Sequence, residues 1–206
     1  MSHHLFAAGI RYAAGALLLC SAGACYSKRV TRIEPSAVTD LSGRWNDTDS
    51  RLVANQLVEQ TLSAGWAKRY TDLHGGEAPT IIVGTFSNRT MEHIQLGTFV
   101  KDIEKALITT GAARVVASSG ERQELRAERK DQQQNARTDT RARPGQELGA
   151  RYALTGELQA IEDVDGRERV VFYQVDAALV DLETNTKVWV GQHKIKKYVE
   201  RARFGL

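Results

Sequence analysis

Cysteine is absent from most of this chain, because its two cysteines, Cys20 and Cys25, both lie near the N-terminus of the 206-residue sequence. Structural disulfides and cysteine-ligated metals need thiols in the folded part of a protein. The sequence therefore excludes both for everything after Cys25, and we expect a fold that forms without a metal or other cofactor.

A strong charge of one sign is also lacking. The formal net charge is +3, and removal of residues 1–24, whose only formally charged side chain is Arg11, lowers it to +2. Binding to nucleic acid needs a concentrated basic face that displaces counterions from phosphates. The near-neutral balance therefore argues against a nucleic-acid partner.

The hydrophobic run near the N-terminus, residues 12–23, is shorter than the roughly 20 apolar residues that a membrane-spanning helix requires. It follows Arg11 and ends in small residues immediately before Cys25. Small residues before a cysteine resemble the cleavage motif of bacterial lipoprotein signal peptidases. We therefore predict a signal peptide over residues 1–24 and lipidation of Cys25, including a palmitate chain.

Cys20 is the competing modification site, but the bulky Leu19 precedes it where a small residue is expected. An ordinary signal peptide with two incidental cysteines remains the alternative. Residues 25–40 are polar and have no apolar periodicity, which predicts a lipidated cysteine followed by a short tether. We assign residues 41–206 to one globular domain.

Catalytic constellations are scarce. After the signal peptide the histidines are His74, His93 and His193, and none pairs with another His, Asp or Glu at the spacing of a zinc-binding helix. A surface or polar-edge role is favoured for each over a role as a ligand or base. We therefore predict a protein that is not an enzyme and has no catalytic residue.

Residues 84–90 form the most motif-like stretch, because a predicted strand runs there into a polar loop and then a helix, where α/β folds often bind ligands. The stretch lacks the repeated glycines and the lysine of a phosphate-binding loop. The favoured interpretation is that Asn88 and Thr90 satisfy backbone groups in a turn while Phe86 packs into the core. Direct contact with a ligand is the alternative.

Helical periodicity predicts two helices that pack on a sheet. The first begins near Asp47 or Thr48, either of which can cap it, and Gly65 ends it. The second ends before Gly111 and has an apolar face made of Ile94, Phe99, Val100, Ile103, Leu107 and Ile108. Residues 119–140 are almost entirely polar and predict a solvated helix, after which a further short helix is expected up to Leu148.

The β-branched runs at residues 80–83 and 113–117 predict two strands. Three more are predicted at 152–161, 168–182 and 187–198, and the tight turns between them require antiparallel neighbours. Asp163 and Asp165 with Gly166 indicate the first of these turns better than a calcium loop. The predicted fold is an α/β domain of the two-layer, α+β-like kind, with a mixed sheet, a C-terminal three-stranded antiparallel meander and helices packed against it.

The C-terminal segment is basic, with Glu200 as the opposing charge among Lys194, Lys196, Lys197, Arg201 and Arg203. Lysines on an edge strand discourage pairing with other chains. Alternatively, they attract an acidic partner, an anionic wall polymer or lipid head groups. Lys194, Lys196 and Lys197 are therefore the candidate partner-binding residues.

Three collinear runs carry a family resemblance. They are TIIVGTFSNRTMEHIQLGTFVKDIEKAL at residues 80–107, RVVASSGERQELRAERKDQQ at 114–133, and GQELGARYALTGELQAIEDVDGRERVVFYQVDAALVDLETNTKVWVGQHKIKKYV at 145–199. Together they closely resemble the LpoB family of penicillin-binding-protein activators, from about residue 40 to 198.

The resemblance implies an outer-membrane lipoprotein that faces the periplasm and activates peptidoglycan synthesis by binding a bifunctional class A penicillin-binding protein. It also implies a fold similar to the N-terminal domain of TolB. Tyr26 is not the aspartate that commonly retains lipoproteins in the inner membrane, which agrees with outer-membrane sorting. The best-known activators have a long disordered tether, whereas here about 15 residues separate Cys25 from the predicted domain.

Two functions of other classes remain open. One is a structural or assembly lipoprotein of the cell envelope with the same fold. The other is a periplasmic module that binds a glycan or a small molecule.

Overall fold

The computed structural model describes residues 29–201. The chain divides into two units, Met1–Pro35 and Ser36–Leu206, and every described helix and strand lies in the second. In chain order the elements are α1 (Asp47–Ser63), α2 (Trp66–Leu73), β1 (Thr80–Asn88), α3 (Leu96–Thr110), β2 (Arg114–Val115), α4 (Ser119–Asn135), β3 (Tyr152–Asp165), β4 (Glu168–Asp181) and β5 (Lys187–Glu200). No described helix is long and apolar enough to cross a membrane.

The five strands form one mixed sheet in the order β2-β1-β3-β4-β5. β1 is parallel to both β2 and β3, whereas β3, β4 and β5 are antiparallel neighbours. This arrangement confirms the predicted mixed sheet and its C-terminal meander. The strands of the meander are long because Asp165 and Glu168 still pair, so Gly166 and Arg167 alone make the turn. Asp163 and Asp165 therefore lie in a strand, not in the turn where we expected them.

Burial along β4 alternates as the sequence predicted. Val171, Tyr173 and Val175 are almost completely buried, and so are Ala177 and Leu179, while the residues between them are half-buried. The helices cover the buried face, where Leu57 of α1 and Phe99 of α3 join the same core. The result is the predicted two-layer architecture, with one sheet face turned away from the helices.

The start of α1 differs from the prediction. Asn46 caps this helix, because its side chain accepts a hydrogen bond from the Asp49 amide at 3.1 Å and Asp49 accepts one from the Asn46 amide at 2.9 Å. This reciprocal pair satisfies two backbone donors at once. Asp47 and Thr48, which the sequence offered as caps, are therefore inside the first turn.

Two further differences concern short helices. α2 was missed, and it forms because Trp66 is buried and its indole donates to the Thr61 carbonyl at 2.8 Å. The helix expected up to Leu148 is absent, since residues 136–151 contain no helix. Here Glu147 instead forms ion pairs with Arg126 at 2.7 Å and Arg129 at 2.8 Å on α4.

The solvated helix predicted near residue 119 is confirmed as α4, in which no residue is buried. Its ion pairs make it sensitive to acid. Lys101, together with the Ser118 amide, lowers the pKa of Glu121 from 4.5 to about 2, and Arg126 with Arg129 lowers the pKa of Glu147 to about 2. A depressed carboxyl pKa stabilises the folded state above the ordinary value, and this contribution disappears as the pH falls toward the depressed one.

We therefore expect α4 to lose helical Cα chemical shifts between about pH 4.5 and pH 2. Glu121→Gln should loosen the first turn of α4 already at pH 7, because it removes the charge that Lys101 binds. Glu124→Gln, a neighbouring exposed change, is the control and should leave the helix intact. Unchanged Cα chemical shifts of α4 at pH 2 would contradict the expected pH dependence of this helix.

Candidate partner-binding surface

The face of the meander that points away from the helices is the main candidate surface, and we call it the open face. Alternation along each strand places on it Glu157, Gln159, Ile161, Asp163 and Asp165 of β3, Glu168, Val170, Phe172, Gln174 and Asp176 of β4, and Gln192, Lys194, Lys196, Tyr198 and Glu200 of β5. Successive residues of a strand point to opposite faces, so the register alone determines this membership.

The centre of the open face is polar. Asp176 accepts hydrogen bonds from Gln174 at 2.8 Å and from Gln192 at 2.6 Å. On the neighbouring strand, Gln159 donates to Glu157 at 2.6 Å. Arg89 also lies 3.9 Å from Glu157, so this part of the face is a hydrogen-bonded polar cluster.

Beyond this polar part, neighbouring rows of the open face carry apolar, basic and acidic side chains. In one cross-strand row Ile161 pairs with Phe172, which pairs with Lys196. The next row joins Asp163, Val170 and Tyr198, and the last row joins Asp165, Glu168 and Glu200. Ile161 is 69% exposed and Tyr198 is 59% exposed. Exposed apolar side chains that are bordered by polar ones are typical of interaction sites.

The structure separates the three candidate lysines. Lys194 and Lys196 are exposed on the open face, and no carboxylate of residues 29–201 forms a salt bridge with either. Lys197 points to the opposite face, where its side chain is only 11% exposed and lies 2.6 Å from both Asp40 and Asp49. The basic segment is therefore not one continuous surface.

Lys197 instead connects the N-terminal part of the domain to β5. Burial works to lower its pKa, but the hydrogen bonds to Asp40 and Asp49 outweigh it, so the pKa is raised. Asp40 belongs to the stretch that we predicted as tether, and its side chain also accepts from Asn46 at 2.5 Å. Arg201 donates its amide to the Arg167 carbonyl, while Arg203 and Cys25 lie outside the described residues.

The histidines have separate surroundings. His74 stacks on Tyr70 with ring centroids 3.8 Å apart, and His93 contacts Gln95 at 2.8 Å. His193 lies on the helix side of β5, where burial lowers its pKa. Within residues 29–201 no three His, Cys, Asp or Glu side chains are placed to hold a metal ion.

The stretch at residues 84–90 is structural, as the favoured interpretation predicted. Phe86 is buried with its ring edge-to-face on Phe99, 4.9 Å between centroids. Asn88 donates to the Glu92 carbonyl at 2.7 Å and accepts from the Thr90 amide at 2.9 Å. The strand itself is longer than expected, since β1 continues to Asn88.

Glu92 organises a half-buried cluster that no sequence pattern indicated. It accepts hydrogen bonds from the Tyr173 hydroxyl at 2.5 Å and from the Trp45 amide at 3.2 Å, and it lies 3.7 Å from Arg169. Burial and the hydrogen bond to Glu92 both raise the pKa of Tyr173. The cluster fixes the segment before α1 against β4. Its members are up to 128 positions apart, from Trp45 to Tyr173, so local spacing offers no signal for it.

A second surface lies between α3 and α4, as a groove of about 520 Å³. Its floor includes Ile108 and Leu125, which are 60% and 51% exposed, and its rim carries the carboxylates of Glu104, Glu121, Glu124 and Glu128. Lys101 pairs with two of these carboxylates, Glu104 and Glu121, at 2.7 Å each.

Comparison with solved structures finds several similar chains of low identity. Lipoprotein GNA1162 from Neisseria meningitidis is 17% identical, with 61% of this chain and 88% of that chain covered and a TM-score of 0.36. The LpoB C-terminal domain from Salmonella enterica is 16% identical, with 65% and 95% covered and a TM-score of 0.33. For the NMR structure of E. coli LpoB the identity is 14%, the coverages are 85% and 83%, and the TM-score is 0.38.

Comparison with curated proteins finds no match. The family model described as peptidoglycan-synthase activator LpoB matches residues 49–195. This range covers more than half of the chain. Among the described elements it includes most of α1, everything from α2 to β4, and most of β5. This chain belongs to the LpoB family of peptidoglycan-synthase activators.

Proposed function

We propose that this protein is an outer-membrane lipoprotein that activates a class A penicillin-binding protein by binding it from the periplasmic side. The observation that carries the proposal is the match of the synthase-activator family over residues 49–195. An activator without chemistry of its own changes a rate by binding one state of the enzyme more tightly than another. The open face supports this role, because it carries exposed apolar side chains and two lysines that have no carboxylate partner among residues 29–201.

Within the proposal, Lys194 and Lys196 are the partner-binding residues and Lys197 has a structural role. Exposed lysines accelerate encounter with an acidic surface at low ionic strength, and salt screens that effect. A lysine that is already paired with two carboxylates attracts a further acidic group much less. We therefore propose partner binding for two of the three lysines predicted from the sequence, Lys194 and Lys196.

The test is a pull-down from detergent extract, followed by a synthase assay with and without the protein. We expect a bound class A synthase and a rate that rises between about 5-fold and 150-fold, the usual range of coupling between sites, with no synthase activity in the protein alone.

The double variant Lys194→Glu and Lys196→Glu should weaken association with the synthase mainly at low salt. The control Lys130→Glu, which changes an exposed lysine on α4, should not weaken it.

A bound synthase whose rate stays unchanged would contradict the activator role. Tight sedimentation with isolated peptidoglycan and no synthase would instead favour the glycan-binding alternative. A structural or assembly lipoprotein would not bind the synthase, would not sediment tightly with peptidoglycan and would leave the synthase rate unchanged.

Attachment to the membrane is tested at Cys25. We expect Cys25→Ser to yield an unprocessed or soluble protein, because the thiol carries the acyl chains, and stable anchoring needs more than one chain. Fractionation with metabolic lipid labelling measures this, and Cys20→Ser is the matched control that should leave labelling unchanged. Labelling that persists in Cys25→Ser would move the site to Cys20 or refute lipidation.

The reach of the proposed anchor is short. Residues that we assigned to the tether already contact the domain, since Arg51 donates to the Ser36 carbonyl at 3.1 Å and Asp40 binds Lys197. About ten residues remain between Cys25 and Ser36, and at about 3.3 Å per residue they span on the order of 35 Å when extended. We therefore propose that the partner's docking site lies close to the outer membrane.

A further inference from the structure

The outer edge of the sheet is formed by β5, a 14-residue strand that pairs only with β4 among the described strands. An edge strand presents unpaired backbone N–H and C=O groups, and proteins usually cover or blunt them. Because this edge is long, the groups that cover it determine whether another chain can pair with it.

The Gln60 side chain covers part of that edge. Its amide nitrogen donates to the Gln192 carbonyl at 3.1 Å, and its amide oxygen accepts from the Gln192 N–H at 3.2 Å. These are the two hydrogen bonds that a neighbouring strand would make with Gln192. The pair shows that the backbone groups of Gln192 point away from β4.

The same orientation applies to every second residue, because the two backbone groups of a residue in an antiparallel ladder point to the same side and the side alternates along the strand. The N–H and C=O groups of Lys194, Lys196 and Tyr198 therefore also point outward. No hydrogen bond from any residue of the described part, 29–201, reaches these outward groups. The open edge, which is the part of β5 without these hydrogen bonds, therefore begins after Gln192.

We infer that the edge of β5 from Lys194 to Tyr198 receives an extended acidic segment of the synthase as a sixth strand of the sheet. The inference rests on the proposed function and names the way in which the partner docks. Addition of a strand to a sheet edge is a known mode of peptide recognition, in which backbone hydrogen bonds give affinity and alternate side chains give specificity. Gln60 limits the added strand to the edge beyond Gln192, because it occupies the position beside that residue.

Charge identifies the occupant. Side chains directly opposite on adjacent strands lie about 5 Å apart, so alternate residues of an added strand would lie beside Lys194 and Lys196 on the open face. Acidic residues there would pair with lysines that have no carboxylate partner among the described residues. Pairing of β5 with β5 of a second copy would instead bring lysines together, and like charges opposite each other are destabilising.

The experiment combines amide exchange with a backbone variant, both in the full chain with the full-length synthase. Hydrogen–deuterium exchange resolved to single amides should slow at least 10-fold at Lys194, Lys196 and Tyr198 when the synthase binds. Lys196→Pro removes one outward N–H and leaves the ladder to β4 intact, and proline is tolerated on an edge strand in that orientation. It should weaken association at least 10-fold, whereas Lys196→Ala, which removes only the charged side chain, should weaken it less.

Three results would contradict the addition of a strand to β5. Synthase binding without slower exchange at these three amides overturns strand addition while the activator function stands, and that measurement uses the unaltered chain, so it does not depend on the folding of the proline variant. Equal affinity of a folded Lys196→Pro variant overturns it as well. Absence of any association with the synthase overturns the proposed function and this inference with it.

Discussion

Replacement of Lys197 by methionine is expected to lower the free energy of unfolding by about 3 to 5 kcal/mol, which is the usual result when one partner of a buried ion pair is removed. The ammonium group lies 2.6 Å from carboxylate oxygens of Asp40 and Asp49, and the side chain of Asp49 is only 4% exposed. Methionine retains the apolar stem but leaves the buried Asp49 carboxylate without its cation. Urea unfolding followed by circular dichroism measures the loss.

Lys196→Met is the matched control, because Lys196 is the preceding residue on the same strand and is exposed on the open face. Surface changes of this kind usually alter stability by no more than about 0.5 kcal/mol. The pair also separates folding from binding, since Lys196→Met should impair synthase association in a folded protein. Equal stability of the two variants would mean that the Lys197 ion pairs contribute little to the fold.

Replacement of Phe99 by alanine is expected to destabilise the domain by about 3 to 5 kcal/mol, the usual cost of a large cavity in a core. Phe99 is 1% exposed, and its ring packs edge-to-face on Phe86 of β1. The ring therefore joins α3 to the sheet, and its loss removes both buried apolar area and an aromatic contact. Thermal unfolding measured by calorimetry or circular dichroism gives the change.

Ile108→Ala on the same helix is the control. The sequence placed Ile108 and Phe99 on one apolar face, but Ile108 is 60% exposed at the groove between α3 and α4. Its truncation should cost no more than about 0.5 kcal/mol, as for most surface changes. A comparable loss of stability in both variants would show that α4 shields Ile108 in solution.

Local pattern predicted the elements whose side chains alternate strongly. The period-2 burial of β4 and the end of α3 at Gly111 follow from single residues and their immediate neighbours, so the sequence was enough. The missed helix α2 and the absent helix before residue 149 depend on distant contacts instead. Trp66 packs edge-to-face on Tyr152 at 5.5 Å, and Glu147 pairs with α4, and neither contact leaves a periodic signal.

The candidate surface was only partly predictable for the same reason. Three lysines within four positions were recognised as a group, but the strand period places Lys197 on the other face from Lys194 and Lys196. The alternation itself could have indicated this separation from the sequence. The ion pairs of Lys197 with Asp40 and Asp49 could not, because they join residues about 150 positions apart.

By itself, the sequence determined the class of fold, the order of its strands along the chain, the absence of thiols after Cys25 and the resemblance to synthase activators, since composition, periodicity and collinear similarity are all properties of neighbouring residues. Tertiary structure alone decided which charges are paired and buried, which strand forms the open edge, and which backbone groups on that edge accept or donate no hydrogen bond within residues 29–201. Those features arise from the packing of distant segments and from strand register, where a shift of one residue would exchange the buried and exposed faces.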